Sequence, residues 1–220
     1  RHTNFSMESI QQTLSGSQDT SQLAGTSATC TISRNGDLVH KIYVTGTGQA
    51  GVTDANDMVQ EAEIEIGGQR IDKQTQLWRE VWNDLSTPDS KAIGLKAMQG
   101  AIGTTTAAAS GTGVNQIHIP LTFWFCRNPG LALPLIALQY HEVKLKLTWG
   151  NTGADSTADT KPVVWCDYIY LDTDERRRFA QVSHEYLIEQ VQESSMTSDR
   201  TQNLHFNHPV KELIWTSGPY

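Results

Sequence analysis

Residues 128–147 read NPGLALPLIALQYHEVKLKL, and their character changes twice along this short stretch. Pro129-Gly130 is typical of a tight turn, because proline presets φ at the first central position and glycine accepts a positive φ at the second. The apolar run at 131–138 is interrupted by Pro134, which disfavours a regular helix or a central strand. We therefore predict an irregular buried segment that crosses between two sheets.

From His141 onward the same stretch alternates between apolar and polar residues. A period of two is typical of a strand that has one face in the core and the other in water. The residues predicted to face the core are Val143, Leu145, Leu147 and Trp149. The whole stretch thus predicts a turn, a buried crossing and a half-buried strand, as in a β-sandwich.

Alternating segments of the same kind recur along most of the chain. The predicted strands are 4–14, 26–32, 38–44, 58–66, 69–71, 116–125 and 163–171. Asn35-Gly36 predicts a hairpin turn, since both residues tolerate the left-handed conformation of a primed turn. Short helices are predicted at 74–85, 88–98 and 172–181 from helical spacing and capping residues. Many short strands with brief helices in the connections indicate an all-β antiparallel sandwich of the jelly-roll type.

The apolar faces of these strands predict the core. Its expected residues are Ile64, Ile66, Phe123, Phe125, Leu145, Leu147, Val164 and Ile169. The three cysteines, Cys30, Cys126 and Cys166, have no CxxC spacing, so neither a disulfide framework nor a zinc ribbon is indicated. Cys30 and Cys166 lie in apolar alternating runs, which predicts buried, reduced thiols in a reducing compartment.

The bulk properties restrict the possible classes of protein. A chain of 220 residues can form one large all-β domain, or one domain and part of another. A formal net charge of -7 argues against a protein whose main role is to coat a phosphate backbone. The sequence contains no signal peptide and no apolar run of about 18 residues that could span a bilayer. It begins without methionine and ends just after the apolar run 213–215, so we expect a fragment of a longer protein.

The motifs of common catalytic and metal sites are absent from the sequence. His141-Glu142 and His184-Glu185 each begin like a zinc-protease helix, but Leu145 and Ile188 stand where the second histidine would be. There is no HxH pair of the cupin type, no GxSxG, no Walker loop and no GxGxxG. We therefore predict no catalytic, cofactor-binding or metal-binding residues, and a protein that is not an enzyme.

Two clusters of charge have simple structural interpretations. The carboxylates Asp167, Asp172, Asp174 and Glu175 are predicted to lie at a strand end and in a helix cap. Arg176, Arg177 and Arg178 are predicted to form a solvated helix face near the end of that helix, where positive charge is favourable.

An alternative function is a jelly-roll carbohydrate-binding module. Trp78, Trp82, Trp124 and Trp149 would then supply stacking platforms. Exposed and coplanar tryptophans would favour that function, whereas tryptophans buried under a helix or sheet would favour a structural protein. A cupin-like enzyme is a weaker alternative, because the HxH pair is missing.

The end of the chain repeats the pattern of its beginning. The segments 184–192, 202–206, the turn 207–209 and 213–215 follow the same order as 4–12, 26–32, the turn 35–36 and 38–44. This self-similarity predicts a second copy of the same unit that is truncated after its opening strands.

Several long motifs resemble one family of proteins. They are RHTNFSMESIQQT, ISRNGDLV, EIEIGGQRID, NPGLALPLIALQYHEVKL, DYIYLDTDERRRFAQ with HEYLIEQVQ, and NHPVKELIW with GPY. In this order they closely resemble the major capsid proteins of nucleocytoplasmic large DNA viruses, of the phycodnavirus and iridovirus type. The resemblance is weak in the loops 15–27, 46–57, 97–115 and 150–161.

The resemblance implies a double jelly roll, of which residues 1–182 would form the first roll and 183–220 the opening strands of a truncated second roll. It implies a structural protein that self-assembles as a homotrimeric, pseudo-hexagonal capsomer of an icosahedral capsid. The implied partners are copies of itself, neighbouring capsomers and minor capsid proteins, with an internal membrane nearby and no direct contact with nucleic acid. The implied location is the virion capsid, assembled in the cytoplasm of the host cell.

Overall fold

The computed structural model of the chain describes residues 4–18, 25–48, 55–99, 115–150, 161–194 and 201–215. Ten strands run in chain order as β1 (Phe5–Gln12), β2 (Leu14–Gly16), β3 (Ser27–Thr31), β4 (Leu38–Gly48), β5 (Val59–Ile66), β6 (Gln69–Thr75), β7 (Asn115–Pro120), β8 (Leu133–Pro134), β9 (Val143–Trp149) and β10 (Val163–Leu171). Three α-helices, α1 (Gln76–Ser86), α2 (Asp89–Met98) and α3 (Thr173–Gln181), lie in the connections.

The strands form two antiparallel sheets. In the first sheet the order is β1-β10-β4-β7, and the short β8 also pairs with β4. In the second sheet the order is β2-β3-β9-β5-β6. The first strand pairs with the last along its whole length, from Phe5 opposite Leu171 to Gln12 opposite Val164. Strands distant in sequence are therefore neighbours in space, as in a jelly roll.

The core lies between the two sheets and contains most of the predicted residues. Leu145, Leu147 and Trp149 of β9 have no exposed surface, whereas the alternate residues of that strand reach the surface. Ile64, Phe123, Phe125 and Val164 are also fully buried, and Ile66 is partly buried against the core.

The predicted core residue Ile169 is buried in a different place. Ile169 belongs to a smaller apolar cluster with Leu38, Ala132 and Leu171, against which Phe179 of α3 packs. Tyr168, its neighbour, lies in the main core. Since successive residues of a strand point to opposite faces, this second cluster lies on the outer face of the first sheet.

The stretch 128–147 crosses between the sheets, as predicted. Leu133 and Pro134 pair with Val39 and Leu38 of the first sheet, and the following strand, β9, belongs to the second sheet. The turn at its start differs from the prediction. Pro129–Leu131 is a single 3-10 turn, and the Asn128 side chain accepts a hydrogen bond from Gly130 N at 2.9 Å, so no positive φ is needed at Gly130.

The predicted hairpin at Asn35-Gly36 is wrong. The preceding strand, β3, lies in the second sheet, and the following strand, β4, lies in the first, so this turn carries the chain from one sheet to the other. Neither residue has a positive φ. Gly36 is instead required by a close contact, because a Cβ atom on residue 36 would lie 2.7 Å from Cβ of Tyr168.

The predicted strand at 116–125 is too long. The ladder with β4 ends at Pro120, one further backbone hydrogen bond runs from Leu121 N to the carbonyl oxygen of Ile42, and Trp124–Cys126 form a 3-10 turn. Phe123 and Phe125 are nevertheless fully buried and stack with ring centroids 5.8 Å apart. The apolar pattern therefore extends beyond the strand that it predicts.

The three predicted helices are present with shifted ends. Thr75 caps α1 by accepting a hydrogen bond from Trp78 N at 3.2 Å. Pro88 is the N-cap of α2 and not its first helical residue. Asp172 is the N-cap of α3. No helix in the described part of the chain is long and apolar enough to cross a membrane.

The end of the chain is described only in part, as residues 183–194 and 201–215. Residues Arg1–Gln190 form one compact unit, and Val191–Tyr220 form a second, small unit. Within the described residues 183–194 and 201–215 there is no strand. A strand needs the edge of a neighbouring strand for its backbone hydrogen bonds, and these segments have none of the ladder pairings seen in the two sheets.

Candidate assembly surfaces

The outer face of the second sheet carries a ladder of opposite charges. Lys73 of β6 lies 2.7 Å from Glu61 of β5, and Lys146 of β9 pairs with Glu65 of β5. The hydrogen bond that Lys146 donates to Glu65 raises the pKa of the Lys146 ammonium, and the negative charge of Glu65 adds to the effect. Exposed pairs of this kind add little stability each. The two charges of each pair do neutralise one another. The outer face of the second sheet is therefore suited to contact with water.

The outer face of the first sheet is aromatic at one end. Tyr43 of β4 stacks on Trp165 of β10, with ring centroids 6.5 Å apart and an angle of 7° between the planes. His118 of β7 lies on the other side of Tyr43 at 6.4 Å. All three side chains are half-buried. Aromatic side chains that combine apolar area with a polar tip are typical of interface residues.

The other end of the same face is apolar. Phe5 and Met7 on the edge strand β1 are 57% and 50% exposed, and they pair in register with Leu171 and Ile169 of the second cluster. An edge strand with exposed apolar side chains is a site where another polypeptide can add. The two outer faces thus differ in chemistry, since one is charged and the other is apolar and aromatic.

The four tryptophans do not form a carbohydrate-binding platform. Trp124 and Trp149 are almost fully buried, and Trp149 donates a hydrogen bond to the carbonyl oxygen of Ser17 at 2.9 Å. Trp78 and Trp82 on α1 are half-buried and stack on each other at 5.7 Å. The guanidinium of Arg127 lies over the ring of Trp82, 4.1 Å from its centroid, and so covers one face of that ring.

His40 and His141 lie in different surroundings. His40 is buried and shares a hydrogen bond with the carbonyl oxygen of Phe125, whereas His141 is exposed beside Gly67. Across the described ranges no three His, Cys, Asp or Glu side chains are grouped so that they could hold a metal ion.

The cysteines are free thiols. Burial raises the pKa of Cys30 to about 11 and that of Cys166 well above its usual value. Since the thiolate is the nucleophile, burial makes these two thiols poor nucleophiles at neutral pH.

The structure corrects the prediction that Arg176 lies on a solvated helix face. Arg176 does not lie on a purely solvated helix face, because its Nε donates to Asp37 Oδ1 at 2.9 Å. The buried Asp37 also accepts a hydrogen bond from Leu171 N at 2.8 Å. Asp37 therefore joins the crossing turn to β10 and α3. The sequence contained no sign of this pairing, because the two residues are far apart along the chain.

The known proteins that are similar to this chain agree on one family. A family model described as "Major capsid protein N-terminus" matches residues 1–172. The chain is 51% identical, over 98% of its length, to the major capsid protein of Pyramimonas orientalis virus, of which it covers 57%. It is 42% identical, again over 98% of its length, to the major capsid protein of Paramecium bursaria Chlorella virus 1, of which it covers 53%. The chain thus spans about half the length of these curated relatives.

Solved structures support the same relationship. A structure described as the PBCV-1 virus capsid matches with a TM-score of 0.72 and 40% identity over 86% of this chain and 48% of that chain. The Faustovirus major capsid protein matches with a TM-score of 0.58 and 10% identity over 80% of this chain and 56% of that chain, a likeness of fold alone. These matches confirm the predicted all-β jelly roll.

Proposed function

This chain belongs to the major capsid protein family of large DNA viruses, and from that premise we propose that it builds an icosahedral capsid as a homotrimeric, pseudo-hexagonal capsomer. The observation that carries the proposal is the identity of 51% along 98% of the chain to a major capsid protein. At this similarity the fold and most of its buried contacts are shared. The role is structural, with no reaction and no catalytic residue.

The proposed organisation is a double jelly roll. Residues 1–182 would be the first roll, and 183–220 would begin the second roll, whose remaining strands would complete the ladder that this segment lacks. Relatives about twice as long as this chain are consistent with a second unit of similar size. The similar order of patterns at the two ends of the sequence supports the same division.

The chemistry of the two sheets suits an assembly of identical copies. Symmetric association repeats each contact, so modest interfaces combine into a stable shell. The apolar and aromatic outer face of the first sheet offers surface that association could cover, whereas the neutralised charge ladder of the second sheet gains little from leaving water.

The proposed partners are further copies of the chain in the trimer and in neighbouring capsomers, together with minor capsid proteins. An internal membrane would lie nearby, and no direct contact with nucleic acid is expected, in keeping with the net charge of -7. The proposed location is the virion capsid, after assembly in the cytoplasm of the host cell.

Purified virions test this proposal. Mass spectrometry of their proteins should find peptides of this chain among the most abundant, and antibodies against the chain should label the outside of the shell. Capsomers released by mild treatment should have three times the mass of one polypeptide in native mass spectrometry. Absence of the chain from virions, or release only as monomers from intact shells, would contradict the proposal.

A further inference from the structure

The segment 183–190, which we call the strap, follows α3 and lies on the surface of the first compact unit. It has no regular secondary structure, yet side chains anchor it at both ends. At its start the ring of His184 stacks on Phe179 at 4.9 Å and shares a hydrogen bond with the Phe179 carbonyl oxygen at 3.0 Å. At its end Glu189 and Gln190 each bind the roll through their side chains.

Arg127 is the centre of the second anchor. Its Nη1 forms an ion pair with Glu189, and its guanidinium lies over the ring of Trp82 in α1. Its Nε donates to the carbonyl oxygen of Thr122 at 3.4 Å. A guanidinium that is held by a ring and a carbonyl is already oriented toward its carboxylate, so less side-chain entropy is lost in the pair than at an open surface.

Gln190 reaches an irregular point on the edge of the second sheet. β6 is the edge strand, and its pairing with β5 shifts so that Ile71 has no partner across the ladder. The side-chain amide of Gln190 donates to the carbonyl oxygen of Ile71. The strap therefore covers a backbone group at an edge where another strand could pair.

We propose that Arg127 is a positioning residue that clamps the strap to the first roll and thereby sets the place from which the chain leaves it. The clamp also shields the edge of β6 at its bulge. Its significance for a capsomer rests on the proposed function, since a fixed exit point would define where a second roll begins. The clamp itself is a property of residues up to Gln190 and needs no assembly.

Native-state proteolysis tests the clamp in the whole 220-residue chain. Chymotrypsin cuts after Tyr186 and Leu187 in the strap, but a bound strap must detach before it fits the protease. Arg127→Glu places a negative charge beside Glu189 and removes the contact with Trp82. Cleavage after Tyr186 and Leu187 should therefore become about tenfold faster. The reversed pair, Arg127→Glu with Glu189→Arg, should restore a rate within about threefold of the original.

Two further variants separate the clamp from general stability. Lys144→Glu breaks the exposed pair with Glu142, which does not touch the strap, and should leave cleavage unchanged. If Arg127→Glu does not fold, Arg127→Gln replaces it in the experiment. This variant keeps most of the side-chain volume and should be cleaved faster than the original chain, by less than tenfold. The proposal is overturned if folded Arg127 variants are cleaved at the original rate, or if the reversed pair is no slower than Arg127→Glu.

The outcome of the proteolysis experiment does not depend on whether the chain builds a capsid. A chain that is absent from virions but shows the charge-reversal rescue would retain the clamp and lose the proposed function. A chain that forms capsomers without the rescue would retain the function and lose the clamp.

Discussion

At the scale of single residues, contacts that are remote in sequence decide which side chains matter. Gly36 lies against Tyr168, whose hydroxyl donates to the carbonyl oxygen of Ser33 at 2.6 Å. Gln12 accepts hydrogen bonds from both the backbone N and the hydroxyl of Ser33. The crossing turn is thus held by a tyrosine from the last strand and a glutamine from the first.

Gly36→Ala should lower the free energy of unfolding by about 1–3 kcal/mol, because the added methyl group must displace Tyr168 from its place in the core. Gly94→Ala in α2 is the matched control, since no atom lies within 4 Å of the added Cβ. That change should stabilise the chain by about 0.5–1 kcal/mol through helix propensity. Urea unfolding of both variants measures the difference, and equal effects at the two positions would refute this account of Gly36.

Asp37→Ala should cost about 2–4 kcal/mol of unfolding free energy, since it leaves Leu171 N without its acceptor and removes the partner of Arg176. Arg176→Ala should cost less than about 1 kcal/mol, because the Arg176 side chain is 57% exposed. Denaturant titration of the two variants tests this order, and a larger loss for Arg176→Ala would show that the turn is held differently.

The raised pKa of Cys30 predicts how the free energy of unfolding changes at alkaline pH. Burial raises its pKa from 9.0 to about 11, so the unfolded chain releases the thiol proton at a lower pH than the folded chain. Its contribution to stability is therefore complete below pH 9 and is lost as the pH rises toward 11. Unfolding free energies measured across this range should fall with pH, and Cys30→Ala should reduce the slope. An unchanged slope in Cys30→Ala would assign the alkaline loss to other groups.

At the scale of elements, the alternation of apolar and polar residues in β9 separates the buried face of the strand from its outer face. Leu145 has no exposed surface, and Lys144 beside it points to the charged outer face. Leu145→Ala should therefore cost about 2–5 kcal/mol, whereas Lys144→Ala should change stability by no more than about 0.5 kcal/mol. Chemical denaturation of the two variants measures this contrast. Similar losses at both positions would mean that the strand is buried on both faces.

Helices and turns were less predictable than strands. The spacing of Leu77, Val81 and Leu85 predicts α1. Leu77 and Leu85 are nevertheless 44% and 63% exposed, and the buried residue of this helix is Arg79. Periodicity identifies a helix but not the neighbour that its apolar face meets.

At the scale of the whole molecule, the compact unit extends past the predicted domain boundary at residue 182. Residues up to Gln190 belong to it, through the anchors of Glu189 and Gln190. A polypeptide ending at residue 190 should therefore unfold at a midpoint within about 1 °C of that of the whole chain. One ending at residue 182 should unfold about 2–4 °C lower, as expected for a loss near 1 kcal/mol in a domain of this size. Calorimetry of the two shortened chains tests this, and equal midpoints would contradict a stabilising strap.

The difference between the two outer faces also emerges only at this scale. Alternation predicted which residues of each strand face outward. It did not predict which strands are neighbours. The pairing of β10 with β4 and of β4 with β7 brings Tyr43, Trp165 and His118 together on one face, although they come from three distant parts of the chain.

The all-β class, most of the core and the family could be predicted from the order of the amino acids, because they depend on local period and on motifs that are continuous along the chain. The three-dimensional fold was needed to show that Asn35-Gly36 crosses between sheets, that Ile169 is buried in a second cluster, and that Arg176 and Arg127 hold distant carboxylates. Each of these depends on which strands become neighbours. That choice is made by the collective burial of both sheets and leaves no local pattern in the residues concerned.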